Sequence, residues 1–262
     1  MKFSILTLFP EMFQGPFSCS ILQRAQEHHL LTIRLIQLRD FALGRHQQVD
    51  DTSYGGGPGM VMKVDVLDRA LQFAVAEEGG HVVCLTPQGQ KFNQDHARRL
   101  AQLGHLILVC GHYEGMDERF VQTRVDEEFS LGDFVLTGGE IPAMALVDAI
   151  TRMVPGVLGD DASCQADSFY HGILDHPHYT RPAVWDAGME WGEVGVPKVL
   201  LSGDHGAIQG WRRRRSLLST WIRRPDLLVR AELTKSEKRF FEQLHRDLEA
   251  LLQEKTKDQA HK

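Results

Sequence analysis

The chain has 262 residues, of which 42% are hydrophobic and 24% charged, a balance that is typical of soluble globular proteins. Its formal charge of −6 argues against indiscriminate binding to nucleic acids, although a local basic patch is compatible with that charge. No apolar run approaches the length of a membrane span and the N-terminal segment is too short for a signal peptide, so we expect a cytoplasmic protein without membrane association.

Apolar runs and helical periodicity alternate along the first 157 residues. Strands are predicted over residues 2–9, 32–38, 81–85 and 106–110, with another short strand within residues 129–136, and helices over residues 11–29, 64–76, 93–103 and 140–153. Residues 40–60 read as a long polar loop, and residues 86–89 as a turn. Strands that alternate with helices indicate an α/β domain with a mostly parallel, covered sheet.

The remainder of the chain differs in composition. Residues 158–175 are predicted to be an interdomain linker after a first domain of residues 1–157. Residues 176–262 are predicted to form a small, mainly helical C-terminal domain. Its helical signals lie around residues 211–230 and over residues 236–254, and the last residues are expected to fray.

Three glycine-rich loops, residues 54–60, 110–115 and 131–140, each follow an apolar run. Glycine allows a ligand to approach the main chain, and loops at strand ends of α/β sheets are where small molecules bind. The loops match neither the Walker pattern nor a GxGxxG fingerprint with its acidic partner. A tight turn is the alternative for any single loop, but three such loops together favour a ligand held largely by main-chain groups.

Cysteine and histidine patterns do not predict a metal site. The four cysteines are scattered without a CxxC pair, and we interpret them as reduced thiols. None of the thirteen histidines forms HExxH or joins a cysteine at zinc spacing, so a structural zinc is not expected.

Positive charge is concentrated near the C-terminus. Residues 210–230 contain seven arginines and one acidic residue, Asp226. A solvated helix face is one interpretation of the run Arg212–Arg215. The second cluster, Trp221-Ile-Arg-Arg-Pro225, favours contact with RNA or DNA, because arginine forks and tryptophan suit phosphates and bases.

A series of short motifs occurs along the chain in the same order as in a known protein family. They include Leu8-Phe-Pro-Glu-Met12, Tyr54-Gly-Gly-Gly-Pro-Gly-Met60, Tyr113-Glu-Gly115, Gly132-Asp-Phe-Val-Leu136, Gly138-Gly-Glu140, Asp167-Ser-Phe169, Pro177-His-Tyr-Thr-Arg-Pro182 and Arg223-Arg-Pro225. The chain resembles the bacterial tRNA (guanine-N1)-methyltransferases (TrmD) of the SPOUT class over nearly its whole length.

The resemblance implies an N-terminal α/β domain with a deep trefoil knot, which is a rare exception to unknotted topology. It also implies a homodimer with the active site at the subunit interface, and S-adenosylmethionine as the methyl donor to N1 of guanosine 37 in tRNA. The linker would order on tRNA binding, and the C-terminal domain would hold the anticodon stem. The cofactor residues implied are Thr86, Pro87, Gln88, Gly89, Gly111, Tyr113, Glu114, Leu131, Gly132, Asp133, Phe134, Val135, Leu136, Gly138, Gly139 and Pro142.

The same resemblance assigns Asp167 as general base and Arg152 as the cation that stabilises charge on O6. These types suit the chemistry, because N1 of guanine carries a proton that a carboxylate can remove. Proton loss places negative charge on O6, which a guanidinium can stabilise. A helix N-cap and a surface arginine are the respective structural alternatives. Glu114 is a second candidate acid and a candidate ligand for the Mg²⁺ that the family is reported to need, although no spacing in the sequence demands a metal.

Candidate substrate contacts are spread along the chain. The tRNA-binding candidates are Asp50, Gly55, Gly59, Ser168, His178, Arg181, Arg212, Arg213 and Arg223. For Asp50 and its neighbour Asp51, the alternative to RNA contact is a turn-forming aspartate pair. For residues 176–181, the alternative is a proline-flanked turn with packed aromatic side chains.

Three departures from the family pattern stand out. His112 replaces an arginine, so the fixed positive charge of the family pattern is not expected at this position. Thr86 replaces a serine and keeps the hydroxyl, and residues 186–196 are longer and richer in tryptophan than the family stretch. Two other functions stay open: a non-catalytic RNA-binding protein, and a methyltransferase that acts on a ribose 2′-hydroxyl.

Overall fold

The computed structural model describes residues 1–76, 79–159, 167–229, 231, 233–244 and 246. The chain divides into two compact units, Met1–Cys164 and Gln165–Lys262. The first unit is a mixed α/β fold around a parallel sheet, as the sequence pattern predicts, and each unit is described by itself below.

The sheet of the first unit contains five strands in the order β2-β1-β6-β5-β7, and all of its pairings are parallel. These strands are β1 (Lys2–Thr7), β2 (Thr32–Gln37), β5 (His81–Lys91), β6 (His105–Cys110) and β7 (Glu127–Ser130). A separate antiparallel hairpin is formed by β3 (Asp50–Thr52) and β4 (Met60–Met62). Central strand β6 is buried along its whole length, because helices cover both faces of the sheet.

Helices connect the strands and cover the two faces of the sheet. They are α1 (Gln14–Phe17), α2 (Ser20–Glu27), α3 (Val64–Val75), α4 (Gln94–Leu100), α5 (Glu118–Arg124) and α6 (Glu140–Thr151). Alternate residues of β6 enter two different clusters: Leu106 and Leu108 pack with α2, α4 and α6, whereas Ile107 and Val109 pack with α3 and α5. This alternation follows from the two-residue period of a strand.

Two strand predictions are wrong in extent. The predicted turn at residues 86–89 lies within β5, where the register with β7 shifts between Leu85 and Gln90. Gly89 makes this irregularity possible, because a Cβ atom there would lie 2.5 Å from the backbone nitrogen of Phe129. Strand β7 begins at Glu127, before the range in which the short strand is predicted, and ends at Ser130, whose hydroxyl donates to the carbonyl of Gly132 over 3.0 Å.

The predicted first residues of the helices are closer to the observed ones than the predicted last residues are. Asn93 is the N-cap of α4, and its side-chain oxygen accepts from the backbone N–H groups of Asp95 and His96 at 3.0 Å, as expected. The predicted helix over residues 11–29 is divided into a 3₁₀ turn (Pro10–Phe13), α1 and α2. Helix α5, which Asp117 caps, is an element that the periodicity did not predict.

The second unit begins with a turn and continues into a hairpin and helices. The hairpin pairs β8 (Val184–Asp186) with β9 (Glu193–Gly195), in the stretch that is long and rich in tryptophan. A 3₁₀ turn (Lys198–Leu201), α7 (His205–Arg223), α8 (Pro225–Leu228) and a helix over residues 235–244 follow. The predicted helix over residues 236–254 otherwise falls largely outside the described residues, as do residues 160–166 of the predicted linker.

Candidate functional site

A pocket of about 360 Å³ opens beside the irregular middle of β5, at Cys84–Gln88, and the carboxyl ends of β6 and β7. The three strands are neighbours in a parallel sheet, so the loops after β6 and β7 meet there. The volume lies within the range that holds a small organic ligand.

Fourteen of the sixteen residues that the resemblance implies for the cofactor line this pocket: Thr86, Pro87, Gln88, Gly111, Tyr113, Glu114, Leu131, Gly132, Phe134, Val135, Leu136, Gly138, Gly139 and Pro142. The other two do not. Asp133 is exposed and pairs with Lys91 over 2.9 Å, and Gly89 lies against β7. The tertiary fold thus brings together Thr86–Gln88 and two of the three glycine-rich loops, residues 110–115 and 131–140, whereas the loop at residues 54–60 does not line this pocket. The role of these residues as cofactor ligands stays a prediction.

Glycines at two adjacent positions let the loop after β7 pack on the end of β6. The N–H of Gly139 donates to the carbonyl of Gly111 over 2.8 Å. A Cβ atom on Gly139 would lie 2.7 Å from the Cα atom of Cys110, closer than packed atoms approach. Gly138 is similarly confined by the side chains of His112 and Glu140. These two positions therefore require glycine for close packing.

A buried carboxylate lies directly behind this loop. Glu140 is only 2% exposed, and its Oε1 accepts from the hydroxyl of Thr7 over 2.8 Å. Nδ1 of His112 lies 3.8 Å from the other carboxylate oxygen. Burial, with a smaller effect of the nearby Glu140 charge, raises the pKa of the Cys110 thiol, so this cysteine is a protonated core residue.

Sequence reasoning missed part of the lining. Cys84, Leu85, His112, Gly115, Met116, Glu118, Val121, Glu128, Phe129, Ser130 and Thr137 also face the pocket. Most of them belong to strand ends or to α5, where a side chain faces the pocket only because neighbouring strands are in register. His112 could have been predicted from the sequence, because it lies between Gly111 and Tyr113, two predicted cofactor residues.

The hairpin of β3 and β4 carries the first group of predicted substrate residues. Asp50 lies in β3 opposite Met62, so the alternative of a turn-forming aspartate pair is wrong. Gly55 and Gly59 belong to the exposed tip between the two strands and have positive φ angles. The N–H of Glu114 donates to the carbonyl of Met60 over 3.0 Å, and this bond joins the substrate loop to the pocket loop.

The second unit holds the other substrate candidates, and three of them line a pocket of about 320 Å³. His178, Arg181 and Arg212 line it, together with the aromatic pair Tyr179 and Trp211. Nε of Arg212 is buried and has no hydrogen-bond partner among the described residues. A guanidinium, an imidazole and aromatic rings in one concavity suit a nucleotide.

Three further candidates of this unit do not line that pocket. The hydroxyl of Ser168 accepts from the N–H of Asp175 over 2.9 Å and so supports the chain fold. Arg213 donates to Glu237 over 2.7 Å, and this bond lowers the pKa of Glu237 to about 2. Arg223 is exposed at the end of α7.

The two predicted catalytic residues belong to different units. Arg152 is half-buried at the C-terminal end of α6 in the first unit. Asp167 is exposed in the second unit, where its backbone carbonyl accepts from the N–H of Tyr170 over 3.3 Å. Their roles stay predictions. Within the described ranges Glu114 belongs to no cluster of three possible metal ligands, and its role as a Mg²⁺ ligand stays a prediction.

The helices of the described residues include none that is long and apolar enough to cross a membrane. The fold and the pocket define the class: an α/β protein with a pocket of small-ligand size at the edge of a parallel sheet. The profile described as tRNA (Guanine-1)-methyltransferase TrmD matches residues 1–230.

Curated relatives agree with that match. A tRNA (guanine-N(1)-)-methyltransferase of Magnetococcus marinus is 61% identical over 96% of this chain and 98% of its own length. Proteins of the same name from Desulforamulus reducens (53% identity, 91% of this chain and 93% of the relative) and Carboxydothermus hydrogenoformans (54% identity, 91% of both) are also similar. The chain belongs to the tRNA (guanine-1)-methyltransferase family, and its activity is that of a methyltransferase.

Proposed function

We propose that the chain transfers a methyl group from S-adenosylmethionine to N1 of guanosine 37 in tRNA. The observation that carries the proposal is the convergence of two glycine-rich loops, residues 110–115 and 131–140, with Thr86–Gln88 of β5 on one pocket of the parallel sheet. Gly111, Gly138 and Gly139 line the pocket, and the close packing of Gly138 and Gly139 holds the loop after β7 against the end of β6. Such a lining fits a nucleoside with a polar amino-acid tail.

S-adenosylmethionine, when bound, supplies an electrophilic methyl group on sulfur. The chain's own residues remove a proton from guanine and stabilise the negative charge that develops on it. Asp167 accepts the N1 proton as N1 bonds to the methyl carbon, and Arg152 stabilises the charge that develops on O6. Both residues are polar and reachable, since Asp167 is exposed and Arg152 only half-buried.

Charge distribution supports RNA as the substrate despite the acidic total. Arg181 and Arg212 line the pocket of the second unit. Arg223 is exposed at the end of α7, the helix that also carries Arg212. Four tandem arginines of α7 point in different directions, so only part of the run can face one RNA. The proposed contacts in the first unit are Asp50, Gly55 and Gly59 on the hairpin.

The proposal includes a homodimer with the active site at the subunit interface and a trefoil knot in the first unit. Exposed apolar side chains in and near the first pocket support an interface: Val135 and Phe134, which line it, are 85% and 56% exposed, and Ile141, next to the lining residue Pro142 in sequence, is 47% exposed. Clustered exposed apolar residues mark interaction surfaces. Molar mass in solution, measured by light scattering, tests the dimer.

Methyl transfer to two unmodified tRNA transcripts that differ only in G37 or A37, followed by nucleoside analysis, tests the function. N1-methylguanosine from the G37 transcript alone is the expected result. Retained tRNA binding without product would favour a non-catalytic binding protein, and a 2′-O-methylated nucleoside would favour the ribose methyltransferase.

Replacement of the proposed base refines this test. Asp167→Asn is expected to lower the single-turnover rate by about 10²–10⁴-fold with tRNA binding retained, as for loss of a general base. Asp40→Asn, which changes an exposed acid of the first unit, is the matched control and should react at the parental rate. An unchanged rate in Asp167→Asn would remove that residue from the proposal.

A further inference from the structure

Two histidines and one aspartate converge in the second unit at Asp175, His176 and His178. One possible ligand atom from each lies within 4.8 Å of the others. Nε2 of His176 lies 3.7 Å from Oδ1 of Asp175, and Nε2 of His178 lies 2.7 Å from Oδ2. Sequence patterns missed the group, because zinc motifs are defined by other spacings.

The tautomer of His176 follows from its backbone contact. Nδ1 of His176 lies 3.2 Å from the carbonyl oxygen of Pro177. Since a carbonyl can only accept, Nδ1 carries the hydrogen, and the Nε2 of the neutral ring has a lone pair directed at the Asp175 carboxylate. The distance of 3.7 Å is too long for a hydrogen bond. Oδ1 of Asp175 also accepts from the backbone N–H of His176 over 2.6 Å, and a cation held between Oδ1 and Nε2 would contact both atoms.

Metal-binding histidines commonly show this arrangement, with the second ring nitrogen donating to a backbone carbonyl. The backbone beneath the group is also held in place. The N–H of Asp175 donates to Ser168 Oγ and the N–H of Leu174 donates to Thr220 Oγ1 of α7, both over 2.9 Å. Asp175 and His176 are largely buried, with side chains 20% and 15% exposed, whereas His178 is 71% exposed. Two ligands are therefore preorganised and the third can close over the ion.

We propose that Asp175, His176 and His178 bind one divalent transition-metal ion of the Zn²⁺ class. Two imidazole nitrogens with one carboxylate oxygen suit Zn²⁺ or Co²⁺, whereas Mg²⁺ and Ca²⁺ prefer oxygen ligands throughout. Three protein ligands leave a position open. The cations Arg181 and Arg212 line the same pocket as His176 and His178 and oppose a further positive charge, so the affinity is expected to be lower than that of a closed structural zinc site. Bound metal would fix the orientation of the His178 side chain.

The experiment uses the full-length chain without a polyhistidine tag, stripped with a chelator and titrated with Co²⁺. We expect a visible absorption spectrum typical of nitrogen ligation, saturation at one Co²⁺ per chain, and displacement by Zn²⁺. His176→Gln and His178→Gln should each weaken Co²⁺ binding at least about 10-fold, which is the lower end of the effect of altering a ligand's surroundings. His171→Gln is the matched control, since His171 is an exposed histidine of the same segment, and it should bind like the parent.

Stability gives an independent measurement. Zn²⁺ is expected to raise the melting temperature of the parent and of His171→Gln, but not that of His178→Gln, because an ion that binds only the folded state stabilises it. His178 is mostly exposed, so its replacement keeps the test valid even if His176→Gln fails to fold. Equal Co²⁺ affinity in parent, His176→Gln and His178→Gln would overturn the proposal and leave a simple hydrogen-bonded cluster.

Discussion

Replacement of Gly139 by alanine tests the packing of the pocket loop against β6. Gly139 has φ −80° and ψ −2°, a conformation that alanine adopts without strain, so the added methyl group is the only perturbation. That methyl would lie 2.7 Å from Cys110 Cα and 2.8 Å from the nitrogen of Gly111. Both neighbours are backbone atoms of the central strand or its end and cannot rotate away.

Overpacking of this kind costs about 1–3 kcal/mol, and each kcal/mol lowers the melting temperature of a unit of this size by roughly 2–4 °C. The four tryptophans, at positions 185, 191, 211 and 221, all lie in the second unit. Far-UV circular dichroism therefore follows both units, whereas tryptophan fluorescence follows the second. Gly139→Ala should shift the dichroism transition of the first unit, weaken binding of S-adenosylmethionine in calorimetry, and leave the fluorescence transition near its parental position.

Gly210→Ala is the matched control. Gly210 lies inside α7, and a Cβ atom there would meet nothing within 4 Å. Alanine at an open helix interior stabilises by about 0.5–1 kcal/mol relative to glycine, so the fluorescence transition should move upward. The close-packing argument would be refuted if Gly139→Ala unfolded at the parental temperature and bound the cofactor with parental affinity.

Three further predictions concern buried and charged contacts. Thr7→Val removes the hydroxyl that donates to buried Glu140 and should cost about 1.5–3 kcal/mol in urea unfolding. The lowered pKa of Glu237, about 2 beside Arg213, stabilises the second unit above pH about 4.5; this contribution, about 1 kcal/mol after solvent screening, is lost as pH falls toward 2. Arg223→Gln should reduce the salt slope of tRNA affinity by about 1 if Arg223 contacts a phosphate.

Each of these has its own control. Thr7→Ser keeps the hydroxyl and should retain most of the stability, so equal losses in both variants would contradict the hydrogen-bond argument. Glu237→Gln should flatten the acid dependence of tryptophan fluorescence melting between pH 4.5 and 2, and a parental profile in that variant would rule the pair out. Arg45→Gln, at an exposed arginine of the first unit, should leave the salt slope unchanged; a fall equal to that in Arg223→Gln would indicate a nonspecific charge effect.

Local signals in the sequence determined much of the first unit. The apolar run at residues 106–110 predicts the central strand, which lies within His105–Cys110 and is fully buried, because a strand covered on both faces needs no polar alternation. Asn93 predicts the start of α4 because the side chain itself supplies the cap. The family also follows from motifs that occur in order along the chain, and the profile match confirms it.

Contacts between distant segments were decided only by the tertiary structure. The bulge within β5 depends on β7 lying beside Gly89, and the pairing of Arg213 with Glu237 depends on a helix that returns to α7. His112 faces Glu140 because the loop after β7 packs on the end of β6. Periodicity and capping reside in neighbouring residues and can be read along the chain, whereas these contacts arise only when folding brings separate loops to one edge of the sheet or one face of a helix.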